Sequence, residues 1–302
     1  MRVKVRQLVR AAALTACGVL IGGGVPSTAN GRPYVYSSID VPGAAATTAM
    51  GINARGDVVG TYIQSGISHG FVLREGAFAT IDVPGAAGTD ARGISPAGDV
   101  VGGYWLPGEP SANIHGYLLR RDGTLEYIDY PGQINTIPQR LLPDGTILGC
   151  YHGTDTMMSM FGMWMRGDAS GAIEQEASMN NGATPDLSIV AGLFTDMMEP
   201  APRASWGYVI ENGVFTRFRV PGSNLTAVWD VGPSGSLVGV YRNAAGTHGF
   251  LREEGEYTAI DFPGATLTRA FGINATGDIV GNYVAGGVTR GYLARRTDRP
   301  VR

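Results

Sequence analysis

Short apolar segments closed by turn chemistry recur along this chain, four to a unit. In the first unit they run Thr47 to Asn53, Asp57 to Ile63, His69 to Arg74 and Phe78 to Val83. The spacer Asn53-Ala-Arg-Gly56 has the composition of a tight hairpin turn with glycine in the left-handed slot. Pro42-Gly43, Pro84-Gly85, Pro131-Gly132, Pro221-Gly222 and Pro263-Gly264 suit type II turns, where proline fixes φ and glycine accepts a positive one. This pattern predicts strands rather than helices. The second segment, Val58-Val59-Gly60-Thr61-Tyr62, is apolar or small on both faces, as expected for a sheet covered on both sides.

The unit is written six times. Gly51-Ile-Asn-Ala-Arg-Gly-Asp-Val-Val-Gly-Thr-Tyr62 returns as Gly93-Ile-Ser-Pro-Ala-Gly-Asp-Val-Val-Gly-Gly-Tyr104 and as Gly272-Ile-Asn-Ala-Thr-Gly-Asp-Ile-Val-Gly-Asn-Tyr283, with weaker copies between. Aligned on Gly60, Gly102, Gly149, Gly192, Gly239 and Gly281, the copies are 42, 47, 43, 47 and 42 residues apart. Four short strands in about 42 residues describe a β-propeller blade. A β-helix has shorter coils without recurring hairpins, and a β-sandwich does not repeat. The expected fold is therefore all-β, a six-bladed propeller. The last copy ends after Gly291-Tyr-Leu-Ala-Arg295 with three strands, and Tyr34 to Asp40 reads as a lone fourth strand. Pairing the two closes the ring and leaves no free edge at the seam. Thr47, Thr89, Thr136, Thr226 and Thr268 share one face of the first strand, which suggests either a threonine ring around a solvated channel or a plain choice of β-formers.

Composition refines this picture. With 46 Gly and 17 Pro in 302 residues, 44% hydrophobic and 16% charged, the chain has enough apolar matter for a core and many turns. Arg2, Lys4, Arg6 and Arg10 precede an apolar run from Ala11 to Val25 and the small residues Ser27-Thr28-Ala29, so residues 1–29 read as a secretory signal. Leu14-Thr15-Ala16-Cys17 offers the alternative of a lipoprotein anchored through Cys17, but the apolar run before it is short. Residues 30–296 are then the propeller and 297–302 a short polar tail. The expected product is secreted or periplasmic, without an integral membrane segment once the signal is removed, and monomeric. Processing leaves 19 bases against 26 acids and no lysine, which removes lysine catalysis and the basic field that nucleic acid requires. Only Cys150 remains, so no intrachain disulfide forms.

Gly-Ile-Asn-x-x-Gly-Asp-Val-Val-Gly-x-Tyr, followed by His69-Gly-Phe71 and Ile81-Asp-Val-Pro-Gly85, resembles the HAF-repeat family of bacterial extracellular proteins. The likeness covers about 33–296. Here the triplet is His-Gly-aromatic, never His-Ala-Phe; copy three is altered at Arg140-Leu-Leu-Pro-Asp-Gly145, and copy four keeps little beyond Gly192-Leu-Phe194 and Trp206-Gly-Tyr208. The resemblance implies export and a repeated β fold, and no assigned reaction.

Repeated residues argue against chemistry, because an active site is needed once and a turn six times. His69, His115 and His248 hold one repeat position and should diverge around a ring, which suits packing better than shared metal ligation. Asp40, Asp82, Asp129 and Asp261 before the Pro-Gly turns, and Asp57, Asp99 and Asp278 after the hairpin glycines, fit local bonding to the backbone. Arg55-Gly56-Asp57 matches an adhesion tripeptide, yet Ala97-Gly-Asp99 and Thr276-Gly-Asp278 fill the same slot. The informative segments are unrepeated. The loops joining second and third strands are enlarged in copies two, three and four, and loops on a rigid scaffold are where binding usually resides. They and the residue just beyond offer Trp105, His152, Asp155, Asp196, Glu199, Arg203 and Trp206 as candidate ligand contacts for a glycan, peptide or protein surface. Met157, Met158, Met160, Met163, Met165, Met197 and Met198 cluster nearby with Cys150 and His152, a set compatible with Cu(I) but equally with pliable gap-filling. No cofactor, metal or catalytic motif is expected. The reading is a binding module, with a glycan-directed hydrolase or lyase and a structural envelope or matrix component as alternatives.

Overall fold

The computed structural model describes residues 26–29, 32–110, 113–153, 160–201 and 203–298. These residues form no helix. They form six antiparallel sheets, the blades of a ring, with strand order following the chain in five of them. Blade one comprises Ala46–Ile52, Val58–Gln64, Ile67–Arg74 and Ala77–Ile81. Blades two to five repeat it over 88–128, 135–176, 178–218 and 225–260. Blade six is built from Leu267–Ile273, Ile279–Ala285 and Val288–Arg296 and is completed by Arg32–Ile39 from the other end of the chain, Val35 facing Arg295 and Ser38 facing Tyr292. The seam is closed as the sequence predicts. A short strand, Pro26–Ala29, pairs outside Arg32–Ile39. The remainder of the predicted signal, including Cys17, lies outside the described residues.

The repeat residues earn their positions by packing. Gly60 on the second strand faces Phe71 on the third, and a Cβ there would lie 2.0 Å from the Thr48 carbonyl oxygen and 2.8 Å from the Phe71 ring. No side chain fits. The same clasp joins Gly102 to Tyr117, Gly149 to Met163, Gly192 to Tyr208, Gly239 to Phe250 and Gly281 to Tyr292, and all six partners are fully buried. The glycine in His-Gly-aromatic does a second job. At Gly116 a Cβ would meet Pro138 of the next blade at 2.9 Å, so its absence lets neighbouring sheets approach.

The threonines do not ring a solvated channel. Thr47, Thr89, Thr136, Thr226 and Thr268 are at most 2% exposed. Their hydroxyls accept the backbone N–H of Val41, Val83, Tyr130, Val220 and Phe262 at 3.1, 3.0, 2.7, 2.9 and 3.0 Å. Each of these N–H groups opens a Pro-Gly turn, where it has left the sheet ladder and is buried at Val41, Val83 and Val220 and partly buried at Tyr130 and Phe262. An orphaned donor there would cost about 1–3 kcal/mol, and a β-branched hydroxyl supplies the acceptor. The turns themselves are as predicted, with Gly43, Gly85, Gly132, Gly222 and Gly264 at φ between 73° and 79°.

Innermost strands pack against those of both neighbours around the axis, the last against the first. In five of them the register slips by one residue, leaving Met50, Gln139, Asn181, Trp229 and Phe271 as bulges, and in blade two the strand breaks between Thr89 and Gly93.

Candidate functional site

In an antiparallel blade the Pro-Gly turns and the loops between second and third strands share one face of the ring. That face carries the enlarged loops. In the regular blades it presents a simple rim. His69 stacks on Tyr62 with centroids 5.1 Å apart, its Nδ1 2.9 Å from Asp82; His248 stacks on Tyr241 at 5.0 Å, its Nδ1 3.0 Å from Asp261. In blade six Arg290 pairs with Asp40 at 3.2 Å. The aspartates before the Pro-Gly turns therefore meet the rim histidines and arginine instead of their own turn N–H, which the threonine already occupies. On the opposite face Asp99 and Asp278 do bond backbone, accepting from Arg121 and Arg296 N–H at 2.8 and 3.1 Å. Arg55 and Asp57 of the adhesion-like tripeptide bind each other at 2.7 Å.

Blade two departs from this rim. His115 packs tilted against Tyr104 with centroids 5.3 Å apart and lies between two carboxylates, Nδ1 3.4 Å from Asp129 and Nε2 3.1 Å from Glu109 of the enlarged loop. The loop is anchored to blade three, since Ile114 N–H donates to Asn135 Oδ1 at 2.6 Å and Thr136 N–H to Ile114 O at 2.8 Å. Between loop and Pro-Gly turn opens a cleft of about 380 Å³, lined by Glu109, Asn113, His115, Asp129, Tyr130, Gln133 and Ile134 among others. Burial, with Asp129, Tyr127 and Glu109 adding repulsion, pushes the Tyr104 hydroxyl up to about 12, so it stays a phenol.

Blades three and four fill the same slot differently. In blade three Phe161 replaces histidine and joins a stack, Tyr130 on Tyr151 at 4.1 Å and Tyr151 on Phe161 at 5.7 Å. In blade four Trp206 stands there, with the Arg219 and Arg217 guanidinium carbons 3.8 and 4.6 Å from its ring centre. Its Nε1 donates to Glu199 Oε1 at 3.0 Å, and Arg217 pairs with Asp196 at 2.6 Å. The Met198 N–H, then Arg217, hold the Asp196 carboxyl below its usual range.

Of the residues predicted from sequence, Asp196, Glu199, Arg203 and Trp206 come together: Arg203 Nε donates to Glu199 O at 2.8 Å. Trp105 does not offer a free platform, because its ring covers Gly88, where a Cβ would lie only 2.1 Å away. His152 is half-buried at the end of its strand, and burial pushes its imidazole down. Asp155, Met157 and Met158 lie outside the described residues. Cys150 is fully buried in a cluster with Ile137 and Met160, and burial pushes its thiol up to about 12, which disfavours the thiolate a metal would want. Among the described residues no group of three His, Cys, Asp or Glu side chains is placed to hold a metal ion, and no helix is long and apolar enough to cross a membrane.

Sequence reasoning missed Glu109, Asp129, Tyr130, Arg217 and Arg219 as site residues. A signal existed for the arginines. Arg217-Phe-Arg219 stands where other copies have Thr80-Ile-Asp82 and Ala259-Ile-Asp261, so an arginine replaces the aspartate before the Pro-Gly turn.

No protein family's sequence profile matches the chain, and no curated protein is similar to it in sequence. Solved structures are similar in fold. The protein assigned as TolB from Agrobacterium tumefaciens is 14% identical with a TM-score of 0.54, the match covering 84% of this chain and 91% of that one. The β-propeller domain of the Trilobed protease from Pyrococcus furiosus is 8% identical with a TM-score of 0.53, over 85% and 95%. TolB from Acinetobacter baumannii is 13% identical with a TM-score of 0.48 over 84% of this chain, which spans only 54% of that protein's length. The Trilobed protease domain is described as having an open velcro topology, whereas here the 32–39 strand closes the seam. At these identities the likeness establishes the propeller fold and nothing finer.

Proposed function

We propose that this chain is an exported propeller of the HAF-repeat kind that acts as a binding module, with its ligand on the loop-bearing face of blades two to four. The observation that carries this reading is the cleft of about 380 Å³ between blades two and three, where Glu109, His115 and Asp129 converge beside an enlarged loop. Concave sites with a few convergent polar groups are where small ligands bind. Two carboxylates around one imidazole, with Asn113, Gln133 and Tyr130, suit a ligand rich in hydroxyl or amino groups, such as a glycan or a basic peptide segment. Nucleic acid is disfavoured by the acidic balance. The N-terminal run of bases and apolar residues supports export, and N-terminal sequencing of the secreted protein tests it, with a start near Asn30 expected.

Binding is tested on a glycan array and a basic-peptide array with wild type, Glu109→Gln and Asp129→Asn. A ligand bound by wild type and weakened at least tenfold by both substitutions supports the site. Equal binding by all three proteins removes the ligand from this cleft. His115 between two carboxylates also favours a second reading, acid/base cleavage of a glycan, because paired carboxylates and histidine are the usual proton carriers. The same variants decide it: product release lost while binding persists marks an enzyme.

A further inference from the structure

Two copies break the repeat at one position, and the breaks meet at the axis. Where four copies have Gly51, Gly93, Gly182 and Gly272, the others have Arg140 and Asp230. Arg140 Nε lies 2.9 Å from Asp230 Oδ1, and both side chains are buried. The remaining nitrogens of the guanidinium are spent on backbone. Nη1 donates to Arg92 O at 3.0 Å and Gln139 O at 2.7 Å; Nη2 donates to Met50 O at 3.2 Å, Trp229 O at 3.1 Å and Phe271 O. The Asp230 oxygens accept the N–H groups of Val231 at 2.9 Å and Ile273 at 3.0 Å.

Those five carbonyls come from five different blades. Met50, Gln139, Trp229 and Phe271 are the bulge residues of their innermost strands, and Arg92 sits at the break in blade two. A bulge leaves a residue outside the ladder, so its carbonyl has no strand partner. Five such oxygens aimed at one axis bring together the negative ends of five dipoles in a buried place. Left empty, that ring is both unsatisfied and self-repelling. A planar cation with several donors answers both problems at once.

We infer that the propeller axis is a cation site that the chain fills from within: the bulge carbonyls of five blades form it, Arg140 is its resident cation and Asp230 its counter-ion. Met50 belongs to the first blade and Phe271 to the last, so a single nitrogen of Arg140 ties both sides of the seam. On the hairpin face a funnel of about 120 Å³, rimmed by Pro96, Pro143, Pro185 and Pro233, reaches Arg140 and Asp230. A small solute therefore has a path to the site once the side chain is gone. This inference is independent of the ligand face on the other side of the ring.

The test is chemical rescue. Arg140→Gly restores the repeat residue and leaves the void of one arginine side chain, which n-propylguanidinium matches in shape. Thermal unfolding of the full chain is followed with millimolar n-propylguanidinium chloride, n-propylammonium chloride or sodium chloride. Loss of one partner of a buried pair should lower Tm on the order of 10 °C. n-Propylguanidinium should then raise the variant's Tm saturably by several degrees, n-propylammonium by less than half as much, and neither should move wild type. Arg140→Gly/Asp230→Gly should lose most of the response. A variant as stable as wild type, or one raised equally by both organic cations, overturns the inference. If Arg140→Gly does not accumulate folded, its refolding yield from urea is titrated in the same way. Recovery that rises with n-propylguanidinium alone supports the site, and recovery indifferent to it overturns the inference.

Discussion

Blades one and five solve the rim with the same residues, a histidine stacked on tyrosine and held by aspartate; blades two, three and four each solve it differently. His69 and His248 are near-copies, whereas His115 gains Glu109, Phe161 joins an aromatic stack and Trp206 is flanked by two arginines. Beneath this variation the glycine clasp is present in all six blades. The difference separates two kinds of constraint. What clasps the strands within a blade is dictated by space and cannot drift, while what faces solvent can. Blade six changes only the histidine, to an arginine paired with the same aspartate, so the larger drift is gathered in three adjacent blades on one face, which makes that face the place to look for a ligand.

The largest effects should fall on the clasp, in regular and irregular blades alike. Gly60→Val forces a side chain into the Thr48 carbonyl and should cost more than 4 kcal/mol, enough to prevent folding. Phe71→Ala should cost about 4 kcal/mol and Met163→Ala about 3 kcal/mol, read from urea midpoints. A negligible cost at Met163 would show that blade three has drifted in its core as well as at its rim. Next come the threonines. Thr226→Val keeps the shape, leaves the Val220 N–H without its acceptor, and should cost about 1–3 kcal/mol. Blade four has Ser178 in this slot and no Pro-Gly turn before it; the Ser178 Oγ accepts instead the N–H of Gly162, on the third strand of blade three, at 2.9 Å, so Ser178→Ala should fall in the same range.

These devices show how far the sequence could be read. Strand positions, turn type, blade number and the closing strand were all legible, because each is stated several times and errors in one copy are corrected by the others. Thr47 was legible as an inward residue but not as a turn lock, since its partner Val41 is fixed only by the turn's path. The cleft was half legible. Loop length points to blade two, yet His115 shares its slot with His69 and His248, and Asp129 shares the turn pattern of Asp40, Asp82 and Asp261. Arg140 was visible as an altered copy. What could not be read was that Asp230, two blades away, alters the same slot in the complementary sense, because only the closed ring brings the two together.

Smaller effects separate the rims. Trp206→Ala removes the ring under Arg217 and Arg219 and should cost about 1–2 kcal/mol, more than His69→Ala, whose partner Asp82 is half exposed. Reversal of that order would mean the charged cluster of blade four is held by its ion pairs and not by the indole.

The smallest effect concerns acid. Burial holds the His152 imidazole below its ordinary value, so the folded chain resists a proton that the unfolded chain takes up readily. For a histidine with a depressed folded pKa, the unfolded state binds more protons between the two values. Stability therefore falls as pH drops through about 6.5 and levels off below the folded pKa. One group changes stability by at most about 1.4 kcal/mol per pH unit, and a half-buried one by less. Amide exchange at pH 7.5 and 5.5 should show protection in the Ile147–His152 strand decreasing more than in the equivalent Val58–Gln64 strand of blade one. His152→Asn, which cannot titrate, should abolish that excess. An unchanged excess in the variant would show that the acid sensitivity of the irregular half does not arise at His152.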